Sequence, residues 1–400
     1  MADVMPFAAL RPQDALAARV IAPPYDVLSE AEARAIALEP LSFVHITRSE
    51  VDLPEGTDSH SEAAYAKAAE NLAAFRKNGT IVADPEATFY LYGQVMGNHR
   101  QIGVIAATSV AEYDANLVRK HEYTRPDKEE DRAHHMEVLD AQVGLVFLAH
   151  KPHAGLAAIV AEASAAEPAW RVTTDDGVEH ALWALPTKYV APIRAAFAEI
   201  PVLYIADGHH RSAAASRVHA RRKTEASGWF VSGIYPSDNL QVMAYNRVVK
   251  DSNGLTDAAF LAKVQERFDV GPAASPVPTR RGTYTMRFHG QWWSLVPRAG
   301  VVNDSDPVAR LDASVLQDHL LAPILGIDDP RRSKRIDFIG GIRGHQELEK
   351  HVNDGAFVAF HLFPTGMEQL FDVADAGQVM PPKSTWFEPK LREGVVVRTL

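Results

Sequence analysis

Cysteine is absent from this 400-residue chain. Its absence excludes disulfide bonds, thiolate metal sites and a cysteine nucleophile in one step. No apolar run approaches the length of a membrane span, and no basic region precedes an apolar stretch at the N-terminus. We therefore expect a cytoplasmic protein without a membrane partner. Basic residues are outnumbered by acidic ones, and the formal net charge of −10 argues against a nucleic-acid partner.

The chain otherwise has the composition of an ordinary globular protein, with 46% hydrophobic and 23% charged residues. Strand-like apolar segments alternate with helical ones, which predicts an α/β (α+β) fold of mixed sheets with flanking helices. The periodicity places a helix at 60–78 and a hairpin that turns at Gly97. Ser29 followed by Glu32 is a capping signal for another helix, and SFVHITRSEVDLP (42–54) is predicted to be a strand.

The densest chemistry lies in LYIADGHHRSAAASR (203–217). Its apolar start predicts a short buried strand, and a small-residue helix follows after a glycine turn. A helix N-terminus offers free backbone N–H groups and a positive dipole end, which favour anions. This corner carries an acid, two imidazoles and a cation: Asp207, His209, His210 and Arg211. Together they predict a site for phosphate or carboxylate.

Each residue of this corner also has a purely structural interpretation. Asp207 alone is explained as a helix N-cap, and Arg211 alone as one half of a surface ion pair. The combination of all four groups at one strand-to-helix turn favours a functional site over those explanations.

A second dense stretch, RKHEYTRPDKEEDR (119–132), follows a predicted strand end. Glu122 lies between His121 and Arg125, a setting that suits a carboxylate acting as a general base. The charged helix that comes next is typical of a solvated helix face. The loop ahead of the helix is therefore the part of this stretch that predicts chemistry.

Two further segments carry cations next to glycine or proline. IGGIRG (339–344) places Arg343 after a double glycine, a pattern equally typical of a phosphate cradle and of a tight turn. In MPPKSTWF (380–387), two prolines precede a cation and two hydroxyls: Lys383, Ser384 and Thr385. These residues suit a rigid loop that grips phosphate oxygens. A proline-rich tail with Trp386 packed on the protein body explains them without a ligand.

These segments resemble those of DUF1015, a large bacterial family of uncharacterised proteins. The resemblance is carried by APPYDVLSEAEAR, KHEYTRPDKEEDR, YIADGHHR, RIDFIGGIRG and MPPKSTWFEPKL, which together span nearly the whole chain. Membership implies no function, because the family name carries none.

A more distant resemblance is to the archaeal free-serine kinase of the ParB/sulfiredoxin-like superfamily, which transfers phosphate from ADP to L-serine. His121-Glu122, the 207–211 corner and the 382–385 loop stand in the order of that kinase's motifs. The resemblance implies a ParB/sulfiredoxin-like core with a large N-terminal addition, within a domain at 1–250 that contains the DGHHR corner. A C-terminal α/β lobe at 251–400 would supply the PPKST loop.

The same resemblance implies a small-molecule kinase that moves a phosphoryl group from a nucleotide, ATP or ADP with Mg²⁺, to the hydroxyl of L-serine or a related compound. Glu122 would be the general base, and Asp207 would position the acceptor or the metal. The catalytic set also contains His209 and His210; the nucleotide would be bound by Gly208, Arg211, Arg343, Lys383, Ser384 and Thr385, and the substrate by Lys120, His121, Arg125 and Trp386. No metal ligand is assigned, and a homodimer is left open.

Two other functions fit the same residues. A ParB-like regulatory module would bind a nucleotide without chemistry. A metal-dependent phosphohydrolase would use Asp207, His209 and His210, but adjacent histidines are poor co-ligands for one metal. The kinase hypothesis requires the three dense segments to converge on one pocket, with a nucleotide and a small hydroxylated substrate as its partners.

Overall fold

A computed structural model describes all 400 residues of the chain. They form two compact units, one of residues 1–240 together with 389–400, and one of residues 241–388. The second unit is thus inserted in sequence between two parts of the first. The division into an N-terminal region at 1–250 and a C-terminal lobe at 251–400 stays a prediction.

The structure confirms a mixed α/β fold. The α-helices are α1 Ala17–Val20, α2 Glu30–Ile36, α3 Val44–Thr47, α4 Glu62–Lys77, α5 Val110–Asp114, α6 Pro126–Leu139, α7 Ala154–Ser164, α8 Val190–Ala198, α9 His209–Arg222, α10 Asp257–Arg267, α11 Asp312–Leu316, α12 Gly344–Asn353 and α13 Met367–Asp375. The strands are β1 Val4–Met5, β2 Leu10–Pro12, β3 Ile81–Ala83, β4 Tyr90–Met96, β5 His99–Ser109, β6 Val118–Arg119, β7 Ala141–Gln142, β8 Val146–His150, β9 Trp170–Thr173, β10 Glu179–Ala184, β11 Leu203–Asp207, β12 Trp229–Pro236, β13 Gln241–Met243, β14 Tyr245–Val249, β15 Phe268–Pro272, β16 Tyr284–Phe288, β17 Gln291–Pro297, β18 Ile336–Gly340, β19 Val358–Leu362, β20 Trp386–Glu388 and β21 Arg398–Thr399.

A nine-stranded mixed sheet organises the first unit, in the order β6-β11-β8-β12-β5-β4-β10-β9, with β1 beside β5. β8 is parallel to β12 and antiparallel to β11. The strands of this sheet are apolar on the face that α7, α8 and α9 cover. There Leu148 and Ile205 share one core with Leu156, Phe197 and Ala214. None of the helices combines the length and the apolar content needed to cross a membrane.

Local signals predicted several of these elements correctly. Ser29 and Glu32 form the full capping box of α2, because the Ser29 hydroxyl accepts from one orphan N–H while the Glu32 carboxylate accepts from another. The helix predicted at 60–78 is α4. The hairpin is confirmed as well, since β4 and β5 pair from Met96 opposite His99 onward.

The strand predicted at 42–54 is wrong. This segment forms α3 and a 3-10 helix at Ser49–Asp52. One of its backbone carbonyls, that of His45, accepts from the side-chain amide of Asn71 on α4 at 2.6 Å instead of from a neighbouring strand. The apolar residues that indicated a strand, Val44 and Ile46 among them, are buried in a core shared with α4.

The second unit contains an antiparallel six-stranded sheet in the order β15-β17-β16-β19-β14-β18. A separate pair, β13 with β20, joins the two ends of this unit. Phe260 of α10 and Leu316 of α11 pack with Tyr284 and Phe360 of the sheet in a core of its own.

Gly103 in β5 makes room for the buried ring of Tyr235, whose hydroxyl donates to the Tyr92 carbonyl at 3.3 Å. A Cβ at position 103 would lie 2.6 Å from two ring carbons. We expect Gly103→Ala to lower the free energy of unfolding by about 1–3 kcal/mol because the core would be overpacked, as measured by urea denaturation. Gly271→Ala in β15, where an added methyl meets open space, is the control, and equal losses in the two variants would contradict this explanation.

Candidate active site

Gly208 makes the corner between β11 and α9. Its φ of 98° lies in the left-handed region, and a Cβ there would come within 3.0 Å of Nε of Arg211, so the backbone and the available space both require glycine. Gly208 is also the N-cap residue, and no side chain caps α9. The interpretation of Asp207 as a helix N-cap is therefore wrong. The first N–H groups of α9 keep their capacity to bind an anion.

The Asp207 carboxylate contacts cations from two directions. Lys390 Nζ donates to Oδ2 at 2.8 Å, and Arg211 Nη2 lies 3.9 Å from Oδ1. Burial would raise the pKa of Asp207, but the charges of Lys390 and Arg211 outweigh it and hold that pKa below its ordinary value. Asp207 is thus a fixed negative charge at neutral pH. Arg211 is buried, at 7% exposure, which excludes its interpretation as a surface ion-pair partner.

Glu122 reaches this corner because β6 pairs with β11 in parallel. Both strands end at the same edge of the sheet, so the residues that follow them are neighbours. The backbone N–H of His121 donates to His209 Nε2 at 3.4 Å, and the two rings meet edge to face at 4.5 Å. His209 Nδ1 then lies 4.0 Å from Glu122 Oε2.

Both of these imidazoles are uncharged at neutral pH. Burial lowers the pKa of His121 to about 4 and that of His209 well below 6.5. Because His209 Nε2 accepts a hydrogen bond, the neutral ring carries its proton on Nδ1, which faces Glu122. The Glu122 side chain is 35% exposed. A ligand can therefore reach a carboxylate that stands beside a buried N–H donor.

The other predicted residues of the first unit differ in their surroundings. Burial lowers the pKa of His210, whose buried Nδ1 has no hydrogen-bond partner. Lys120 Nζ lies 3.8 Å from the centre of the Tyr113 ring, and Arg125 pairs with Asp127 at 2.7 Å on the surface.

No group of three or more His, Asp or Glu side chains is arranged to hold a metal ion. Asp207, which the resemblance gives the role of positioning either the acceptor or the metal, already contacts two cations, Lys390 and Arg211. The residues of the corner therefore do not fit a protein-held Mg²⁺ or a phosphohydrolase metal centre.

Sequence reasoning missed the support behind Arg211, which comes from the last segment of the chain. Glu393 is buried and exchanges backbone hydrogen bonds with Ala22 at 2.9 and 3.1 Å. A Cβ on Gly144 would lie 3.3 Å from Arg211 Cδ and 3.5 Å from Glu393 Oε1, which shows that the two side chains run next to each other. Burial raises the pKa of Glu393 to about 7. The available signal is the charged run PKLREG, which begins within the segment MPPKSTWFEPKL and continues beyond it.

A second buried cation, Arg132 of α6, lies behind the same region. Its guanidinium sits 4.3 Å from the centre of the Tyr25 ring and donates to Asp131 at 2.7 Å. Asp26, next to Tyr25, contributes to the raised pKa of Arg211, against the effect of burial. The PPYD turn near the N-terminus is thus part of the electrostatic surroundings of the corner.

The remaining predicted residues belong to the second unit. The Ser384 hydroxyl donates to the Pro381 carbonyl at 2.7 Å, so its role inside the loop is structural. Lys383 Nζ lies 5.4 Å from the centre of the Tyr245 ring, and the Trp386 ring meets Tyr245 edge to face at 5.1 Å.

Trp386 also lies against Gly340, where a Cβ would come within 2.8 Å of its ring. The PPKST loop and the loop that carries exposed Arg343 are therefore held on the same indole. This packing of Trp386 agrees with the structural interpretation of the tail, in which no ligand is needed to explain the residue. The convergence of these loops with the Glu122 corner stays a prediction.

Three solved structures are similar to this chain at a distance. A mutant of free serine kinase in complex with AMP has a TM-score of 0.35 and 12% identity, with 68% of this chain and 84% of that chain covered. C-terminally truncated SbnI from Staphylococcus aureus has a TM-score of 0.40 and 10% identity, with 71% and 82% covered. A conserved hypothetical protein from Pyrococcus furiosus has a TM-score of 0.34 and 11% identity, with 68% and 87% covered. Likeness at this distance assigns no activity.

No curated protein matches the chain. The DUF1015 family, described as protein of unknown function, matches residues 4–314. Because this match covers well over half of the 400 residues, the chain belongs to the DUF1015 family.

Proposed function

We propose that this protein is a small-molecule kinase that transfers a phosphoryl group from ATP or ADP to the hydroxyl of free L-serine or a related hydroxy compound. The observation that carries the proposal is the placement of the accessible Glu122 carboxylate 4.0 Å from the protonated nitrogen of neutral His209, at the N-terminus of α9. The order of the His-Glu, DGHHR and PKST motifs in the sequence supports it.

Phosphoryl transfer depends mainly on positioning and on stabilising charge, together with a group that accepts the proton of the acceptor hydroxyl. Glu122 takes that proton as the hydroxyl oxygen forms its bond to phosphorus and the bond from phosphorus to the nucleotide oxygen breaks. The separation of 4.0 Å between Glu122 and His209 is longer than a hydrogen bond and can tighten once an acceptor is bound. At the tightened distance His209 donates from Nδ1 and keeps Glu122 oriented.

The transferred group is bound by the first backbone N–H groups of α9, which are not engaged by a capping side chain. Asp207 does not repel this anion strongly, because Lys390 and Arg211 balance its charge. In the second unit we assign the other phosphates of the donor to Lys383, Thr385 and Arg343. Ser384 is assigned only through its backbone, since its hydroxyl is already used by Pro381.

The proposal is tested by incubating the full chain with L-serine, ATP or ADP and Mg²⁺ and following the products by phosphorus-31 NMR. Formation of phosphoserine, or of another phosphate ester in a panel of hydroxy amino acids, supports the kinase. Nucleotide binding without a new ester would favour the non-catalytic regulatory module instead, and release of inorganic phosphate alone would favour a hydrolase.

Glu122→Gln should lower turnover by about 10²–10⁴-fold, because the amide cannot accept the hydroxyl proton. Phosphate-ester formation measured by NMR checks this expectation, and circular dichroism melting checks that the variant is folded. Glu130→Gln, on the exposed side of α6, is the matched control and should retain activity. A folded Glu122→Gln variant with normal turnover would refute the role of Glu122 as the base.

Lys390→Met removes the cation that contacts Asp207 at 2.8 Å. The pKa of Asp207 should rise, because burial would then be opposed by Arg211 alone. We propose that the charged Asp207 carboxylate positions the acceptor, so the acid limb of the kcat/KM profile should move to higher pH in Lys390→Met, with Lys390→Arg restoring it. The control is Lys188→Met, at an exposed site, and an unmoved acid limb in Lys390→Met would contradict the dependence on Asp207.

Glu393→Gln should change the pH dependence of stability. The folded-state pKa of about 7 exceeds the ordinary 4.5, so the folded protein binds the extra proton and loses stability as the pH rises from 4.5 to 7. The amide avoids this loss, and the stability of the variant relative to the natural protein should improve by about 2 kcal/mol from pH 5 to pH 8. Urea denaturation at both pH values measures this difference.

The control for this measurement is Glu70→Gln on α4, where the side chain is 70% exposed. Its stability relative to the natural protein should be the same at the two pH values. Buried histidines have the opposite pH dependence, but they are present in all three proteins and cancel in the comparison. A constant difference for Glu393→Gln would show that its carboxyl is not held protonated by burial.

A further inference from the structure

A cavity of about 530 Å³ lies in the first unit between the sheet and α7. Its floor is formed by apolar residues of neighbouring strands, Val104 of β5 and Ile234 of β12, which are directly paired. Leu156 and Val160 of α7 form the opposite wall. The volume falls within the range of small-molecule sites, roughly 300–1,000 Å³.

The sequence of α7 explains why the space is not filled. Ala157, Ala161 and Ala165 recur every four residues and therefore form one stripe of the helix, and all three line the cavity. Methyl side chains hold the helix backbone against the rim of the cavity without filling it. An alanine stripe alone would not make a binding site, but one end of the cavity also carries polar groups that can bind a ligand.

That polar end is set by the strand register. His150 ends β8 opposite Pro236 at the end of β12, and both residues line the cavity. Arg100 near the start of β5 stands at the same end of the sheet, because β5 runs antiparallel to β12. Among the residues that line the cavity, Arg100 has the only charged side chain at neutral pH. The cavity therefore has an apolar body and one polar end.

The hydrogen-bonding state of His150 follows from its partner. The ring is only 2% exposed, and Nδ1 contacts the Lys151 carbonyl at 2.8 Å. A carbonyl can only accept, so Nδ1 carries the proton and Nε2 of the neutral ring is an acceptor. Burial lowers the pKa of His150, which keeps the ring neutral, with Asp238 opposing this only in part. Nε2 has no protein partner.

The other polar groups at this end of the cavity differ in whether they can still bind a ligand. His153 is already used, because Nδ1 accepts from the Leu156 N–H and Nε2 contacts Glu199 at 3.0 Å. The exposed guanidinium of Arg100 has neither an acidic partner nor a side-chain hydrogen bond. A ligand therefore meets one acceptor at His150 and one unneutralised cation at Arg100.

We propose that this cavity binds a small molecule with an apolar body and a 2-hydroxycarboxylate head, whose hydroxyl donates to His150 Nε2 and whose carboxylate pairs with Arg100. Carboxylate alone would place an acceptor against the acceptor nitrogen, so the hydroxyl is the feature that His150 selects. The site is separate from the Asp207 corner. β11 and β8 are antiparallel, and Asp207 pairs at Phe147 near the start of β8 while His150 ends it.

The test uses the full chain and three probes with the same body: 2-hydroxyoctanoate, octanoate and 1-octanol, titrated by calorimetry. 2-Hydroxyoctanoate is expected to bind most tightly, because octanoate lacks the hydroxyl for His150 and 1-octanol lacks the carboxylate for Arg100; removing the hydroxyl should cost about tenfold, as for one hydrogen bond. His150→Phe should abolish the preference for 2-hydroxyoctanoate over octanoate. Arg100→Gln should abolish its preference over 1-octanol.

Ala161→Trp should prevent binding of all three probes by filling the cavity. Ala158→Trp, an equal substitution at an exposed position of α7 outside the lining, should leave binding unchanged and controls for damage to the helix. The proposal is overturned if none of the probes binds, if octanoate binds as tightly as 2-hydroxyoctanoate, or if Ala161→Trp binds as the natural protein does. None of these results depends on kinase activity.

Discussion

The contact between Lys390 and Asp207 is the interaction on which the corner depends. It brings a positive charge from the last segment of the chain to the end of β11, where burial alone would favour a protonated acid. Around it the same segment is fixed by packing, since Gln94 donates to the Lys390 carbonyl at 2.8 Å and Leu391 lies against Gly233. The Lys390 and Asp207 side chains are only 17% and 27% exposed, so this contact is less screened by solvent than a surface ion pair would be.

Asp207 and Glu393, the two carboxylates near Arg211, show that the surroundings of a carboxyl group decide the direction in which its pKa shifts. Asp207 has two cations close by and its pKa falls, whereas Glu393 sits deeper and its pKa rises to about 7. Burial also shifts the pKa values of two imidazoles, since it leaves His121 and His209 uncharged at neutral pH. At neutral pH the corner therefore holds two uncharged imidazoles, His121 and His209, beside one carboxylate, Asp207, that contacts two cations.

The sequence predicts elements that are encoded within a few residues better than it predicts contacts between distant segments. The strand, glycine turn and helix of the DGHHR corner were predictable because each is encoded within a few residues. The 42–54 segment was not, because a short apolar run suits a buried helical turn as well as a strand. The roles of Lys390 and Glu393 could not be predicted either, since they depend on a segment that returns to the first unit after the whole of the second.

That return ties the folding of the first unit to the order of translation. When Asp207 is synthesised, residues 241–388 must still be made before Lys390 exists. At a translation rate of roughly 5–20 residues per second, Lys390 is synthesised on the order of ten seconds after Asp207. During that interval β11 and α9 can form, but the acid between them has only Arg211 to balance it. A stop codon in the last few codons before Lys390 would leave the DGHHR sequence intact and its electrostatics incomplete.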